Sequence, residues 1–209
     1  MARITPLTRA EWSPEMTTFV TGFRTAAIGN KPPEGRQSGS NLLGTLVRSP
    51  ALAKAFLNFN GHILYGTSLS LRQREILVLR VACLRRCEYE WAQHVILAED
   101  AGLTADEIAR IIEGPDAPGW APIEGALVRA VDELLTDAAV SSGTWSMLAG
   151  EFDDQQLMDL IFTVGTYEMV AFAIRSFAVE PEPGLLPVLS RQPLSPAGGL
   201  AKTRPIEPE

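Results

Sequence analysis

An all-α fold follows from three features of this 209-residue sequence. Apolar residues recur at helical spacing along most of the chain, strand-like alternation does not persist, and helix-start signals stand before successive apolar runs. With 46% hydrophobic and 21% charged residues the composition is globular rather than disordered. The length suits one domain with extended ends.

The elements can be justified in order. "SPEMTTFVTGFRTAAIG" offers Ser13 as N-cap and Pro14 at the first helical position. The Gly-, Pro- and Ser-rich stretch 29–40 predicts an exposed loop. "SPALAKAFLNFNGHILYG" repeats the Ser-Pro start at Ser49 and Pro50, and Leu52, Phe56, Phe59 and Ile63 fall at helical spacing as its expected inner face. "SLRQREILVLRVACLRR" carries a capping box, Ser70 with Gln73. Its interior is apolar on all sides, which predicts a central helix. "ILVLRV" alone could be a buried strand, but the capped flanks and the length of the pattern favour helix.

The next helix spans about Cys87 to Ala101 and stops at Gly102. "TADEIARIIEG" opens on a second capping box, Thr104 with Glu107, and ends at Gly114. After a loop at 115–122 come "PIEGALVRAVDELLTDAAV" and "DQQLMDLIFTVGTYEMVAFAIRSFAV". The Pro-rich tail is expected to be extended, packed on a neighbour or disordered. The chain thus divides into an N-terminal helix and loop at 1–40, a helical domain at 41–180 and a tail at 181–209. The segments around "LSLRQREILVLRVACLRRCEYEWAQHV" and "FDDQQLMDLIFTVGTYEMVAFAIRSF" echo each other. They read either as a duplicated helical hairpin or as two amphipathic stretches of similar composition.

The charge balance narrows the function. A net charge of −7 without clustered Lys and Arg argues against a nucleic-acid partner. "ILVLRVACL" is too short for a membrane span, and the N-terminus lacks the apolar core of a signal peptide, so a cytoplasmic protein with no membrane partner is expected. Two cysteines, Cys83 and Cys87, and two histidines, His62 and His94, are too few to suggest a zinc site. No metal and no cofactor are expected.

The chemistry concentrates in "CEYEWAQH", which sets Cys87, Glu90 and His94 on one helical face. Glu75 lies twelve residues before Cys87 in an otherwise apolar run, where a carboxylate needs a partner, Arg72 or Arg80, or a raised pKa. Cys87, near a helix N-terminus and His94, is expected to have a lowered pKa. Tyr89, Trp91 and Tyr167 are candidate substrate contacts. Cys83 reads as a small buried core residue, and His62 as a residue without a catalytic role.

The full pattern, Glu75-x11-Cys87-x2-Glu90-x3-His94, resembles the carboxymuconolactone decarboxylase family, which includes alkylhydroperoxidase D. The likeness runs from "NLLGTLVRSPAL" to "FAIRSFAV" and is strongest at "LSLRQREILVLRVA", "CEYEWAQHVILAEDAGLTADEIARI", "AVDELL" and "GTYEM". Glu90 stands where the hydroperoxidases have a second cysteine, and Glu-x3-His resembles the decarboxylase branch. The resemblance implies the alkylhydroperoxidase D-like helical bundle, assembled as a dimer, trimer or hexamer. It also implies Glu75, Cys87, Glu90 and His94 as catalytic residues.

The expected function is that of a cofactor-free acid–base enzyme, a decarboxylase or lyase acting on a small organic acid or lactone. His94 would move the proton, Glu90 or Glu75 would orient it, and Cys87 would line the pocket. The alternatives are a Cys87-dependent peroxidase resolved by an external thiol, and a non-catalytic oligomeric binding protein.

Overall fold

Helix α4 (Leu71–Leu84) is the centre of the molecule, and every residue from Arg74 to Cys83 is buried. The computed structural model describes residues 1–28 and 39–194, which contain helices and no strand. The Ser70 hydroxyl accepts from the Gln73 N–H at 3.2 Å and the Gln73 side chain accepts from the Ser70 N–H at 2.9 Å, so the capping box read from the sequence starts α4. Around α4 pack α5 (Glu88–Asp100), α6 (Ala105–Glu113), α7 (Pro122–Asp137) and α9 (Asp154–Phe177). A helix surrounded on all sides cannot be amphipathic, which is why its apolar residues run round its whole circumference.

The turn from α4 to α5 decides what meets in the core. Arg86 adopts a left-handed conformation, φ 51°, and the Cys87 N–H bonds back to the Ala82 carbonyl at 2.9 Å. This closes α4 as a Schellman-type end with a non-glycine residue in the strained position. The chain reverses within three residues, so α5 folds directly back along α4. At the other end of α5, Gly102 takes φ +87° and Thr104 with Glu107 starts α6, as the sequence leads one to expect.

The N-terminal part forms a second layer. Helix α1 (Pro14–Ile28) starts with the Ser13 hydroxyl accepting from the Met16 N–H. It packs on α3 (Pro50–Gly61) through Met16, Val20, Ala53 and Leu57. The inner face of α3 differs from the expected one. Leu52 and Phe59 are exposed, and the helix buries Ala53 and Leu57 before a π-helical turn, His62–Gly66, carries Ile63 inward. Helix α2 (Ser40–Leu46), at the start of the helical domain, is short and escapes a periodicity test. Gly44 lets the N-terminal strand of chain cross it, because a Cβ there would collide with the Leu7 carbonyl oxygen. The predicted loop at 29–38 lies outside the described residues.

Three further findings depart from the sequence reading. Helix α8 (Ser142–Ala149), capped by Ser141, was not foreseen, since its eight residues hold too little pattern. α9 is one unbroken helix rather than the second copy of a hairpin. α9 also has the length and apolar character of a membrane span, contrary to the expectation that no run does, yet its inner side is packed on α4 and α7. Its buried Asp159 accepts hydrogen bonds from the Ser68 N–H (2.6 Å) and the Ser68 and Thr67 hydroxyls and pairs with His62 Nε2 (2.8 Å). His62 therefore ties the π-turn to α9.

The tail is not extended over its described part. Leu185 and Val188 are buried as Pro183–Leu185 and α10 (Leu186–Arg191) pack on α5. The Trp91 indole donates to the Gln192 carbonyl at 2.9 Å, and Arg191 pairs with Glu99. Residues 195–209 lie outside the described residues.

The outer face of α9 presents Met158, Phe162, Met169 and Phe172 to solvent, beside Trp145 and Met147 of α8. This row is where the homo-oligomer expected from the sequence would form. Light scattering at micromolar concentration should give a mass above one chain. The double variant Phe162→Glu, Phe172→Glu should fall to one chain; a monomeric wild type would refute the expectation.

Candidate active site

Glu75 sits in the middle of α4 with no solvent exposure. Burial works against its anion, but His94 and Arg74 outweigh that and hold its pKa below the usual carboxylate value. His94 Nδ1 lies 2.7 Å from Oε2, and the Arg74 guanidinium donates to Oε1 from Nε at 2.9 Å and from Nη2 at 2.7 Å. Arg74 also donates to the Leu64 carbonyl of the π-turn. The partner expected for Glu75 was Arg72 or Arg80. Instead Arg72 binds Glu107 and Glu124, and Arg80 binds Asp132, so both fasten α4 to its neighbours. Because the carboxylate accepts at Nδ1, the proton on that side of the ring is fixed and Nε2 is the nitrogen left for chemistry.

His94 lies in the wall of a cavity of about 640 Å³ between the two layers. Val20 and Phe23 of α1, Leu43 and Leu46 of α2, and Phe56 and Asn60 of α3 form the outer side. Arg74, Tyr89, Glu90, Gln93, Leu97 and Asp100 stand on the inner side with His94, and Tyr167 of α9 closes it. The Tyr167 ring meets the His94 ring edge-on, with centroids 4.8 Å apart, and so fixes the plane of the imidazole.

Glu90 shares the helix face with His94, but does not orient it. Both carboxylate oxygens are buried without a hydrogen-bond partner. Burial, reinforced by the nearby Glu168 carboxylate, pushes the Glu90 pKa well above the ordinary value. Glu168 itself is held by Arg85 at 2.5 Å. The orienting carboxylate is therefore Glu75 alone, and Glu90 stands as a neutral acid in the same wall.

Cys87 departs furthest from expectation. It is the N-cap of α5, buried among Val170, Ala171, Ile174 and Val179, and is not among the residues lining the cavity. Its pKa is raised rather than lowered, because burial works against the thiolate. Cys83 lies in a different cluster beside Arg80 and Asp132, with its own thiol pushed up by burial. Trp91 is fully buried against the C-terminal segment and does not reach the cavity. Tyr89 does line it, while its hydroxyl donates to the buried Glu182 at 2.9 Å. Glu182 also accepts from the Asn41 N–H at 2.8 Å and the Ser40 hydroxyl at 3.2 Å, which ties α2 to the inner layer.

Two wall residues were missed. Arg74 could have been found, since a carboxylate in an apolar helix demands a cation and Arg74 adjoins it. Asn60 offered no signal, since an asparagine before a glycine reads as a helix end.

Residues 50–133 match the model of the carboxymuconolactone decarboxylase family. Among solved structures it is similar to the alkylhydroperoxidase AhpD core of an uncharacterized peroxidase-related protein from Ralstonia eutropha JMP134. That pair has a TM-score of 0.71 and 14% identity over 91% of this chain and 96% of that one. An uncharacterized peroxidase-related protein from Silicibacter sp. TM1040 gives 0.66 and 16% identity over 86% and 93%. The debrominase Bmp8, in complex with 2,3,4-tribromopyrrole, gives 0.70 and 13% identity over 90% and 95%. These likenesses show the alkylhydroperoxidase D-like fold. No curated protein sequence matches the chain.

The Glu90 environment has a measurable cost. Its folded-state pKa exceeds its unfolded value, so between the two the native state binds the extra proton and stability falls as pH rises. Glu90→Gln removes that dependence. Thermal unfolding should show the variant a few degrees more stable than wild type at pH 7, with the gap closing near pH 4.

Proposed function

We propose that the protein is a cofactor-free acid–base enzyme that moves a proton next to the carbonyl group of a small organic acid or lactone. The observation that carries this reading is the 2.7 Å contact between His94 Nδ1 and the buried Glu75 carboxylate, with His94 on the cavity wall. A carboxylate at Nδ1 fixes the tautomer that leaves Nε2 as the base and faces the imidazolium that forms when Nε2 takes a proton.

In this reading His94 Nε2 removes the proton from the carbon beside the carbonyl. The electron pair of the broken C–H bond becomes the enol double bond, and the carbonyl oxygen takes a hydrogen bond or the proton from neutral Glu90. Reversal returns a proton to carbon, at the same or a neighbouring position. For a decarboxylase the same enol forms by loss of carbon dioxide, whose C–C electron pair becomes the enol double bond, and His94 supplies the proton that quenches it; for a lyase the enol instead expels a group from the neighbouring carbon with its bonding pair, and the proton held by His94 goes to that group. Arg74 holds Glu75 in place, and Tyr167 holds the imidazole plane.

The surroundings of Cys87 weigh against a peroxidase. A buried thiol with a raised pKa and no place in the cavity wall is a poor nucleophile toward peroxide. Proton exchange gives the direct test. In deuterated buffer, wild type should exchange the protons beside the carbonyl of lactones and keto acids, followed by NMR. His94→Ala should lower the rate on the order of a hundredfold or more. Cys87→Ser should exchange at the wild-type rate. Rapid turnover of organic hydroperoxide that Cys87→Ser abolishes would overturn the proposal.

A further inference from the structure

Between Asp154 and Glu168, α9 carries one charged residue, Asp159, and it is buried. A carboxylate so placed needs its hydrogen bonds made inside the protein. Its Oδ1 lies 2.8 Å from His62 Nε2. Its Oδ2 accepts from the Ser68 N–H at 2.6 Å, the Ser68 hydroxyl at 2.8 Å and the Thr67 hydroxyl at 3.1 Å. Burial works against the anion, but these donors outweigh it and hold the Asp159 pKa below the usual carboxylate value. His62 is the first residue of the π-turn, and Thr67 and Ser68 follow its last, Gly66. One carboxylate therefore grips both ends of a turn of a kind that is rare and recurs at functional sites.

The middle of that turn reaches the acid–base pair. The Leu64 carbonyl accepts from Arg74 Nη1, while Arg74 Nε and Nη2 both donate to Glu75 Oε1. A guanidinium is planar and its donors are fixed relative to one another, so holding Nη1 sets the direction from which Nε and Nη2 meet Glu75. Glu75 presents its other oxygen, Oε2, to His94 Nδ1. Arg74 borders the cavity, so a guanidinium released from Leu64 has room to turn away. The His62 ring closes on its own turn: a Cβ on Gly66 would come within 3.0 Å of its Nδ1, and His62 is not among the residues lining the cavity.

We propose that Asp159 and His62 are positioning residues for the acid–base pair: by clamping the π-turn they fix the Leu64 carbonyl, and through it the Arg74 guanidinium that keeps the Glu75 carboxylate on His94. This deepens the proton-transfer reading, on which it rests for the role of His94 as the reacting group. Neither residue touches a ligand in the cavity. Their effect is on His94 itself, in the proton that Glu75 holds on Nδ1 and the free Nε2 that results.

The imidazole reports this without any turnover. The chain has two histidines, so variants of His62 leave His94 as the one ring to observe. In protein labelled with ¹⁵N-histidine, the ring nitrogens are read by NMR through the non-exchanging ring protons, in alkaline buffer. Wild type should carry the His94 proton on Nδ1. His62→Leu, at a half-exposed side chain that tolerates replacement, and Asp159→Ala should each raise the Nε2–H form several-fold. His62→Gln, whose amide can still donate to Oδ1, should restore the wild-type distribution. Ile108→Val in α6 lowers stability away from the clamp and should leave His94 unchanged. His94 signals unmoved in His62→Leu, the same change in Ile108→Val, or no rescue by His62→Gln would each overturn the proposal. A shift in the clamp variants beside a wild type that exchanges no carbon-bound proton would leave the clamp standing and remove the proton-transfer reading instead.

Discussion

The ion pair inside α4 is the constraint from which the rest follows. A carboxylate at zero exposure is tolerable only with fixed partners, and Glu75 has two, one from its own helix and one from α5. Removing one partner of a buried ion pair typically costs about 3–5 kcal/mol, because an uncompensated charge remains. The α4–α5 turn, with Arg86 in a left-handed conformation, is therefore bound to the site: it sets the register in which Glu75 and His94 meet. Arg74 extends the same network to the π-turn through the Leu64 carbonyl, so the outer layer is positioned from the same pair.

The second layer converts that pair from a structural contact into a site. Without α1, α2 and α3, His94 and Glu90 would face water, and burial would no longer hold Glu90 neutral. The layer is fastened at few points. Glu182, delivered by the C-terminal segment, holds the start of α2 and the Tyr89 hydroxyl together, and the N-terminal segment hydrogen-bonds Gly44 through the Leu7 N–H at 2.9 Å. Both ends of the described chain are thus used to enclose the cavity, which explains why the molecule is more than its central helices.

Two acidic side chains near His94, Glu75 across from it on α4 and Glu90 one turn before it on α5, are in opposite environments. Glu75 finds two partners, Arg74 and His94, and stays ionised; Glu90 finds none and sits near Glu168, so burial raises its pKa. The same contrast governs the thiols. At the N-cap of α5 the Glu90 N–H and Arg175 favour the Cys87 thiolate, but burial outweighs both and raises the pKa.

The sequence by itself determined the helical class, the central place of α4, and the starts of α1, α4 and α6. These are local properties: capping boxes bind within one turn, and a helix apolar all round can only be interior. Short elements were not legible, since α2, α8 and α10 hold too few residues for a period to emerge. The inner face of α3 was misread because the π-turn shifts its register. Which carboxylate meets His94, that Cys87 leaves the cavity, that Trp91 packs on the tail and that Asn60 lines the cavity were decided only in three dimensions. Helical spacing places side chains on a face, but whether that face meets a cation, a hydrocarbon wall or a cavity is set by other segments, far away in the chain.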